Sequence, residues 1–155
     1  MELAFHDTAY DARLIRELRF RHEVARGILT AFVRYYRGAE AIVPPLPPGA
    51  LRAQASDDGL HLRWAATEDA LVPSATPQRY RVYMSSDGLL FDSEPLETTS
   101  TELVLPLSGC EPLYVKVSAV NDAGESLDSA VVGAQRAHPG GARILWIDGV
   151  DREVK

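Results

Sequence analysis

The segment Leu60-His61-Leu62-Arg63-Trp64 constrains the fold most strongly, because apolar and polar side chains alternate along it. Leu60, Leu62 and Trp64 fall on one face at a period of two, which is typical of a half-buried β-strand. A tryptophan in such a position is a large apolar side chain that neighbouring strands must cover. Three further runs alternate in the same way, at residues 80–84, 103–107 and 113–119. The middle of the chain is therefore predicted to be a small antiparallel β-domain.

Turn residues divide this region into short strands. The turns are marked by Asp57-Asp58-Gly59, Ser86-Asp87-Gly88 and Asp122-Ala123-Gly124. Strands are expected at residues 50–56, 59–66, 78–85, 89–92, 101–107, 112–121 and 126–135. About seven short strands in roughly 90 residues indicate a β-sandwich of two sheets.

Residues 44–137 resemble a fibronectin type III domain. The matching features are the proline-rich start, Leu60-x-Leu62-x-Trp64, Tyr80-x-Val82, Leu107 before a turn, and Val115-x-Val117-x-Ala119-Val120-Asn121. The resemblance implies a mainly β fold, a seven-stranded antiparallel sandwich, here with an N-terminal helical segment and a C-terminal extra strand. The chain departs from the family at its corner tyrosine, because Leu113 occupies that position. Tyr114 is one step further on and is expected to point to the opposite face.

The negative charge of the chain is concentrated in the β-domain. Residues 41–137 carry 6 Lys and Arg against 13 Asp and Glu, whereas residues 1–40 carry 7 against 6. An acidic surface argues against nucleic acids and anionic membranes as partners. The single cysteine, Cys110, excludes an internal disulfide, so the fold must depend on its apolar core.

Residues 8–37 are predicted to be helical, in two pieces that meet near Arg19-Phe20. Thr8 is expected to cap the first piece, with Asp11 three residues on, and Gly38 is expected to end the second. Apolar residues recur at helical spacing in the second piece. Ile28, Phe32 and Tyr36 form the stripe that we expect to be the docking face of this helix.

Four prolines among the five residues 44–48 mark a domain boundary. Such a run favours polyproline II and is typical of a semi-rigid spacer, although it could also be a ligand for a proline-recognising domain. We therefore expect a helical segment at 1–41, a linker at 42–49, the sandwich at 50–137, and a linker with the first strand of a further module at 138–155. A tail strand that pairs nearby is the alternative for the last segment.

The start of the chain resembles the C-terminal end of zinc-dependent N-acetylmuramoyl-L-alanine amidases, over about 36 residues. The matching residues are Glu2-Leu3-Ala4-Phe5-His6-Asp7-Thr8-Ala9-Tyr10-Asp11, then Phe20-Arg21, Ala25-x-x-Ile28-Leu29 and Tyr35-Tyr36. The resemblance implies that Glu2 is the catalytic glutamate, which takes a proton from a zinc-bound water and passes it to the leaving amine. The family has Gly where this chain has Ala4, and Asn where it has Thr8.

The resemblance also implies that the zinc ligands of the parent enzyme precede this chain, so that no cofactor is expected within it. Its four histidines, His6, His22, His61 and His138, show neither an i, i+4 pair nor an HExxH pattern, and we expect no metal site. Tyr83 and Tyr114 alternate out of phase with the core. They are candidates for surface contacts, with a cross-strand pair, a neighbouring domain or a sugar ring as the partner.

Two functions of different classes follow. In the first, the chain is the non-catalytic spacer or interaction region of a larger secreted cell-wall hydrolase, extracellular or periplasmic, with neighbouring domains and peptidoglycan or another glycan as partners. In the second, it is a free-standing fibronectin type III-like interaction module. The helical stripe should be unpaired and able to form a homodimer in the first case, and buried on the sandwich in the second.

Overall fold

The computed structural model describes residues 7–137, apart from the side chain of Arg19, as two helices followed by an antiparallel β-sandwich. The helices are α1 (Ala9–Arg16) and α2 (Leu18–Arg37). The strands are β1 (Gly49–Ser56), β2 (Gly59–Ala65), β3 (Arg79–Ser85), β4 (Leu96–Thr98), β5 (Glu102–Leu105), β6 (Leu113–Asn121), β7 (Gly124–Glu125) and β8 (Val132–Ala134). The extra strand expected within 138–155 lies outside the described residues.

The strands form two antiparallel sheets, as expected for a sandwich. The smaller sheet has the order β1-β2-β5, and the larger has the order β4-β3-β6-β7. Strand β8 also pairs with β6, so β7 and β8 together fill one edge position. All described pairings are antiparallel. The chain thus has a mainly β, fibronectin type III-like fold with seven strand positions.

The core lies between the two sheets, where the alternating apolar residues meet. Its buried members are Leu60, Leu62, Trp64, Tyr80, Val82, Leu105, Val115, Val117 and Ala119. The rings of Trp64 and Tyr80 meet edge to face, with centroids 5.5 Å apart and an interplanar angle of 72°. His61 and Arg63 are exposed on the other face of β2. The alternation in β2 is therefore confirmed.

The strand expected at residues 89–92 is not formed. The carboxylate of Asp87 accepts hydrogen bonds from the backbone N–H groups of Leu89 and Leu90, at 2.8 and 2.9 Å. These bonds hold a turn and take up donors that a strand would present to its neighbour. The short edge strand instead follows Pro95, where β4 pairs with β3.

The strand expected at 126–135 forms only at β8, Val132–Ala134, and residues 126–131 connect β7 to β8 without being part of a strand. The hydroxyls of Ser126 and Ser129 accept hydrogen bonds from the backbone N–H groups of Ala119 and Val117 in β6, at 2.9 and 3.0 Å. In a continuous strand these donors would bond to backbone carbonyls. Serine side chains therefore take the place of part of the ladder between β7 and β8.

The predicted helix ends are confirmed. The Thr8 hydroxyl accepts a hydrogen bond from the backbone N–H of Asp11, and the N–H of Gly38 bonds to the carbonyl of Arg34. Gly38 has a φ of 100°, which a residue with a side chain rarely adopts. The break between the helices was expected near Arg19-Phe20 but falls at Glu17, which has extended backbone geometry.

The proline-rich segment is packed against the sandwich. Val43, Pro45 and Pro48 are buried. The side-chain amide of Asn121 donates to the carbonyl of Val43 at 2.9 Å, and the Thr67 hydroxyl donates to the carbonyl of Pro47 at 2.6 Å. Residues 43–48 thus form an anchored connection rather than a free tether.

Replacing Trp64 with alanine should lower the free energy of unfolding by about 3–5 kcal/mol, because it leaves a cavity between the two sheets. Urea denaturation at 25 °C measures this change. Leu127→Ala is the control, since that leucine is 73 % exposed. A loss no larger than that of the control would mean that Trp64 does not support the core.

Candidate functional site

A buried ion pair joins α2 to the loop between β2 and β3. The Nε of Arg26 donates to Oδ2 of Asp69 at 2.8 Å, and Nη2 of Arg26 lies 2.7 Å from the same oxygen. The two side chains are only 10 % and 3 % exposed. The other oxygen of Asp69 accepts from the backbone N–H groups of Leu71 and Val72, at 2.9 and 3.0 Å. Both oxygens of the buried carboxylate are therefore bonded.

The environment of Asp69 keeps its carboxylate ionised. Burial alone would raise the pKa of Asp69. The hydrogen bonds from Arg26 and from the backbone of Val72 and Leu71 outweigh burial, so the pKa lies below its ordinary value. The ion pair with Arg26 thus persists at neutral pH.

An apolar contact lies beside the ion pair. Val33 of α2 packs against a small cluster formed by Val43, Val72 and Ala75, all of which are buried. Thr30, one turn before Val33, is also buried, and its hydroxyl donates to the carbonyl of Arg26 at 2.8 Å. Residues 26, 30 and 33 follow one side of the helix. This side is the face by which α2 meets the sandwich.

The stripe that we expected to dock lies on the other side of α2. At about 100° per residue, Ile28 and Phe32 are turned roughly opposite to Arg26. Phe32 is 59 % and Tyr36 76 % exposed, and Ile28 is half-buried. The rings of Phe32 and Tyr36 are stacked at 6.4 Å. Docking by this stripe stays a prediction, because the contact with the sandwich uses a different face.

The docking face was missed for a physical reason. Hydrophobic spacing selects apolar residues, whereas this contact depends on the buried ion pair between Arg26 and Asp69 beside Val33. One signal was present in the sequence. Asp69 precedes Leu71 and Val72, the arrangement in which an aspartate accepts from the N–H groups two and three residues on. No pattern in the sequence predicts that this turn contacts Arg26.

The two candidate tyrosines lie half-buried on the outer face of the larger sheet. The hydroxyl of Tyr83 donates to Glu125 at 2.7 Å. The ring of Tyr114 lies against Gly133, where an added Cβ would come within 2.6 Å of it. Their outward orientation agrees with the sequence pattern. Contact with a partner stays a prediction.

A polar network holds Tyr83 in place. Glu125 also accepts from the Ser118 hydroxyl and from Nη1 of Arg81 at 2.6 Å, and Arg81 reaches Glu97 at 2.8 Å. Burial would raise the pKa of Glu125, but the bonds from Ser118, Tyr83 and Arg81 outweigh it and lower the pKa. The members of this network bond to one another, which is typical of a structural cluster.

An open groove of about 960 Å³ lies on the outer face of the smaller sheet. Its polar lining includes Arg52, Gln54, His61, Arg63 and Glu102. Arg52 of β1 lies directly opposite Arg63 of β2. This pair was not predicted from the sequence, although the tight turn at Asp57-Asp58-Gly59 indicates the register between the two strands.

The remaining sequence predictions concern catalysis and metals. Glu2 lies outside the described residues. Between residues 7 and 137, no group of three or more His, Cys, Asp or Glu is arranged to hold a metal ion. The zinc that the amidase resemblance implies would need ligands from elsewhere. Neither of the two described helices is long and apolar enough to cross a membrane.

Comparisons with known proteins concern the fold alone. Neither a family model nor a curated protein matches this sequence. Among solved structures, the chain is similar to FN3tt, with 22 % identity over 59 % of this chain and 92 % of that chain, at a TM-score of 0.47. A structure of titin domains shows 21 % identity over 59 % of this chain and 32 % of that chain, at a TM-score of 0.47. Domains d3–d4 of the rat CD45 extracellular region show 13 % identity over 61 % of this chain and 51 % of that chain, at a TM-score of 0.49.

Replacing Arg26 with glutamine should lower the free energy of unfolding of the docked helix by about 3 kcal/mol, because it leaves the Asp69 carboxylate buried without its partner. Hydrogen exchange of the α2 amides measures this loss. Arg34→Gln, at an exposed position of the same helix, is the matched control. Adding Asp69→Asn to Arg26→Gln should restore part of the protection. Unchanged exchange in Arg26→Gln would show that the pair does not hold the helix.

Proposed function

We propose that this chain is a non-catalytic connector and interaction module. Its sandwich holds α2 in a fixed orientation and presents the outer stripe of the helix to another domain. The observation that carries this proposal is the division of α2 into two faces. Arg26, Thr30 and Val33 are docked on the sandwich, while Phe32 and Tyr36 are largely exposed.

The exposed aromatic rings support the proposal that another domain binds this stripe. Tyr35 is 81 % exposed and meets Tyr36 edge to face at 5.0 Å, while Tyr36 stacks on Phe32. A cluster of adjacent, solvent-exposed aromatic side chains is characteristic of a protein contact surface. Because the opposite face of α2 is fixed to the sandwich, a domain bound to the stripe would be held at a defined angle to the sandwich.

The neighbour that we propose is the catalytic domain of a secreted cell-wall hydrolase resembling the zinc-dependent N-acetylmuramoyl-L-alanine amidases. The likeness of residues 1–38 to the end of that family supports this choice. Glu2 would then contribute to the active site of the neighbouring domain, and this chain would contribute the last helices and the connection. Peptidoglycan would be the substrate of the whole protein.

A free-standing interaction module is the second candidate. The buried Arg26–Asp69 pair favours it, since a helix docked on the sandwich is what we expected of such a module. The exposed stripe is what we expected of a piece of a larger enzyme. Neither expectation is met in full, and the size of the native protein separates the two candidates.

An antibody raised against residues 44–137 should detect a protein far above 17 kDa in the exported fraction of the source organism. The whole protein should cleave muropeptide amide bonds in a zinc-dependent reaction, and Glu2→Gln should abolish the cleavage while the protein stays folded. A native band near 17 kDa would contradict the proposal of a hydrolase parent and favour the free-standing module.

The double variant Phe32→Ser/Tyr36→Ser should reduce self-association of the isolated chain, because it removes most of the apolar stripe. Sedimentation velocity over a range of concentrations measures this. Leu89→Ser/Leu90→Ser is the matched control, since both leucines are more than 80 % exposed on a distant turn. Equal effects of the two double variants would mean that the stripe is not a specific contact surface.

A further inference from the structure

Two arginines face each other on the outer surface of the smaller sheet. Arg52 of β1 and Arg63 of β2 are directly opposite in the antiparallel register, and both line the groove. Directly opposite Cβ atoms in a regular antiparallel pair are about 4.5–5.5 Å apart, and like charges placed in this way are destabilising. Exposed positions on a strand accept many residue types. A pair that costs stability at such positions is therefore expected to have a role that offsets this cost.

The pair is only partly neutralised within the described part of the chain. Nη2 of Arg63 lies 3.1 Å from Oε2 of Glu102, but the two side chains are 78 % and 65 % exposed. Such a bridge is weak and readily exchanged. The guanidinium of Arg52 has no ion-pair or hydrogen-bond partner among residues 7–137. The positive charge at this end of the groove thus exceeds the negative charge.

This local charge contrasts with the rest of the domain. Residues 41–137 carry 6 basic against 13 acidic side chains, and two of the six are these arginines. Two guanidinium groups that line the same groove can donate paired hydrogen bonds to the oxygens of a carboxylate or a phosphate. The acidic surroundings would repel a polyanion, so a ligand with one isolated oxyanion fits better.

The other end of the groove supports the same conclusion. Gln54 lies opposite His61, one same-face step along the strands from the arginines. Nε2 of His61 lies 2.9 Å from Oδ1 of Asp58. The side-chain amide of Gln54 and the other ring nitrogen of His61 can hydrogen-bond hydroxyls. Beyond them, the Ser56 hydroxyl and His61 hold the pKa of Asp58 at about 2. The ionised Asp58 would repel a second anion. The groove thus runs from a basic end through a polar middle to an end that carries Asp58, where Arg136 donates to the backbone carbonyls of Ser56 and Asp57.

We propose that this groove binds a saccharide that carries a single carboxylate or phosphate. Arg52 and Arg63 hold the oxyanion, and the neutral sugar ring lies over Gln54 and His61. None of the described lining residues is Phe, Tyr or Trp, so ring stacking contributes little. The expected Kd is therefore on the order of 1 mM. The proposal does not depend on a hydrolase parent.

The test is a titration of the ¹⁵N-labelled chain with four probes, followed by NMR. D-glucuronate supplies a carboxylated sugar, D-glucose 6-phosphate supplies a phosphorylated one, D-glucose is the neutral sugar, and inorganic phosphate is the bare oxyanion. Saturable shifts should occur at the amides of Gln54 and His61 with one or both acidic sugars. The stronger of the two acidic sugars identifies the oxyanion.

Variants then separate a specific site from general charge attraction. Arg52→Gln should raise the Kd at least tenfold without loss of fold, since Arg52 is exposed and its removal relieves repulsion. Glu102→Gln should lower the Kd a few-fold, because it frees Arg63. Arg37→Gln, an exposed arginine on α2, is the matched control and should change nothing.

Three results would overturn the proposal. Equal binding of D-glucose and the acidic sugars would exclude recognition of the oxyanion. Equal binding of inorganic phosphate and the stronger of the two acidic sugars would exclude a role for the sugar ring. An unchanged Kd in Arg52→Gln would place any binding elsewhere on the surface.

Discussion

The edge-to-face contact between Trp64 and Tyr80 is the interaction on which the rest of the structure depends. Trp64 belongs to the smaller sheet and Tyr80 to the larger, so their contact joins the two layers of the core. Cys110 is the only cysteine, and no disulfide within the chain supplements this packing. The loop that receives α2, residues 66–78, connects the strands that carry these two aromatic residues. The position of the helix therefore depends on the packing of the core.

Helix α2 is attached to the sandwich by an apolar contact and by an ion pair, which differ in how strictly they fix the position of the helix. The Val33 contact is apolar and would tolerate small shifts along the surface. The Arg26–Asp69 pair is directional and buried, so it tolerates little displacement without leaving a charge unpaired. The apolar contact provides attraction, and the ion pair restricts the helix to one register. The connector role proposed for this chain would need both.

Much of the fold could be predicted from the sequence, because the sandwich is built on strict alternation. The pattern around Trp64 predicts β2 and its buried face, and Thr8 and Gly38 predict the ends of the helical segment. The prediction of a strand at 89–92 was wrong, because the carboxylate of Asp87 accepts hydrogen bonds from the backbone of a turn there. Alternation describes which face is buried and carries no information about such side-chain to backbone bonds.

The surfaces were harder to predict than the core, for a related reason. The docking face of α2 depends on a pair of residues 43 positions apart, Arg26 and Asp69, and the groove depends on the register between β1 and β2. Both are properties of tertiary structure. Each arginine, considered singly in the sequence, is indistinguishable from an ordinary solvated side chain. Only the fold shows that Arg26 is buried and that Arg52 and Arg63 are neighbours.

The interrupted edge beside β6 affects how copies of this domain behave when crowded together. Ser126 and Ser129 occupy backbone donors of β6 with their hydroxyls, and the flanking strands β7 and β8 are only two and three residues long. An extended segment of another molecule would find no continuous row of free N–H and C=O groups to pair with along this edge. Among the described residues, this side of the domain therefore offers a poor template for nucleating a cross-β aggregate.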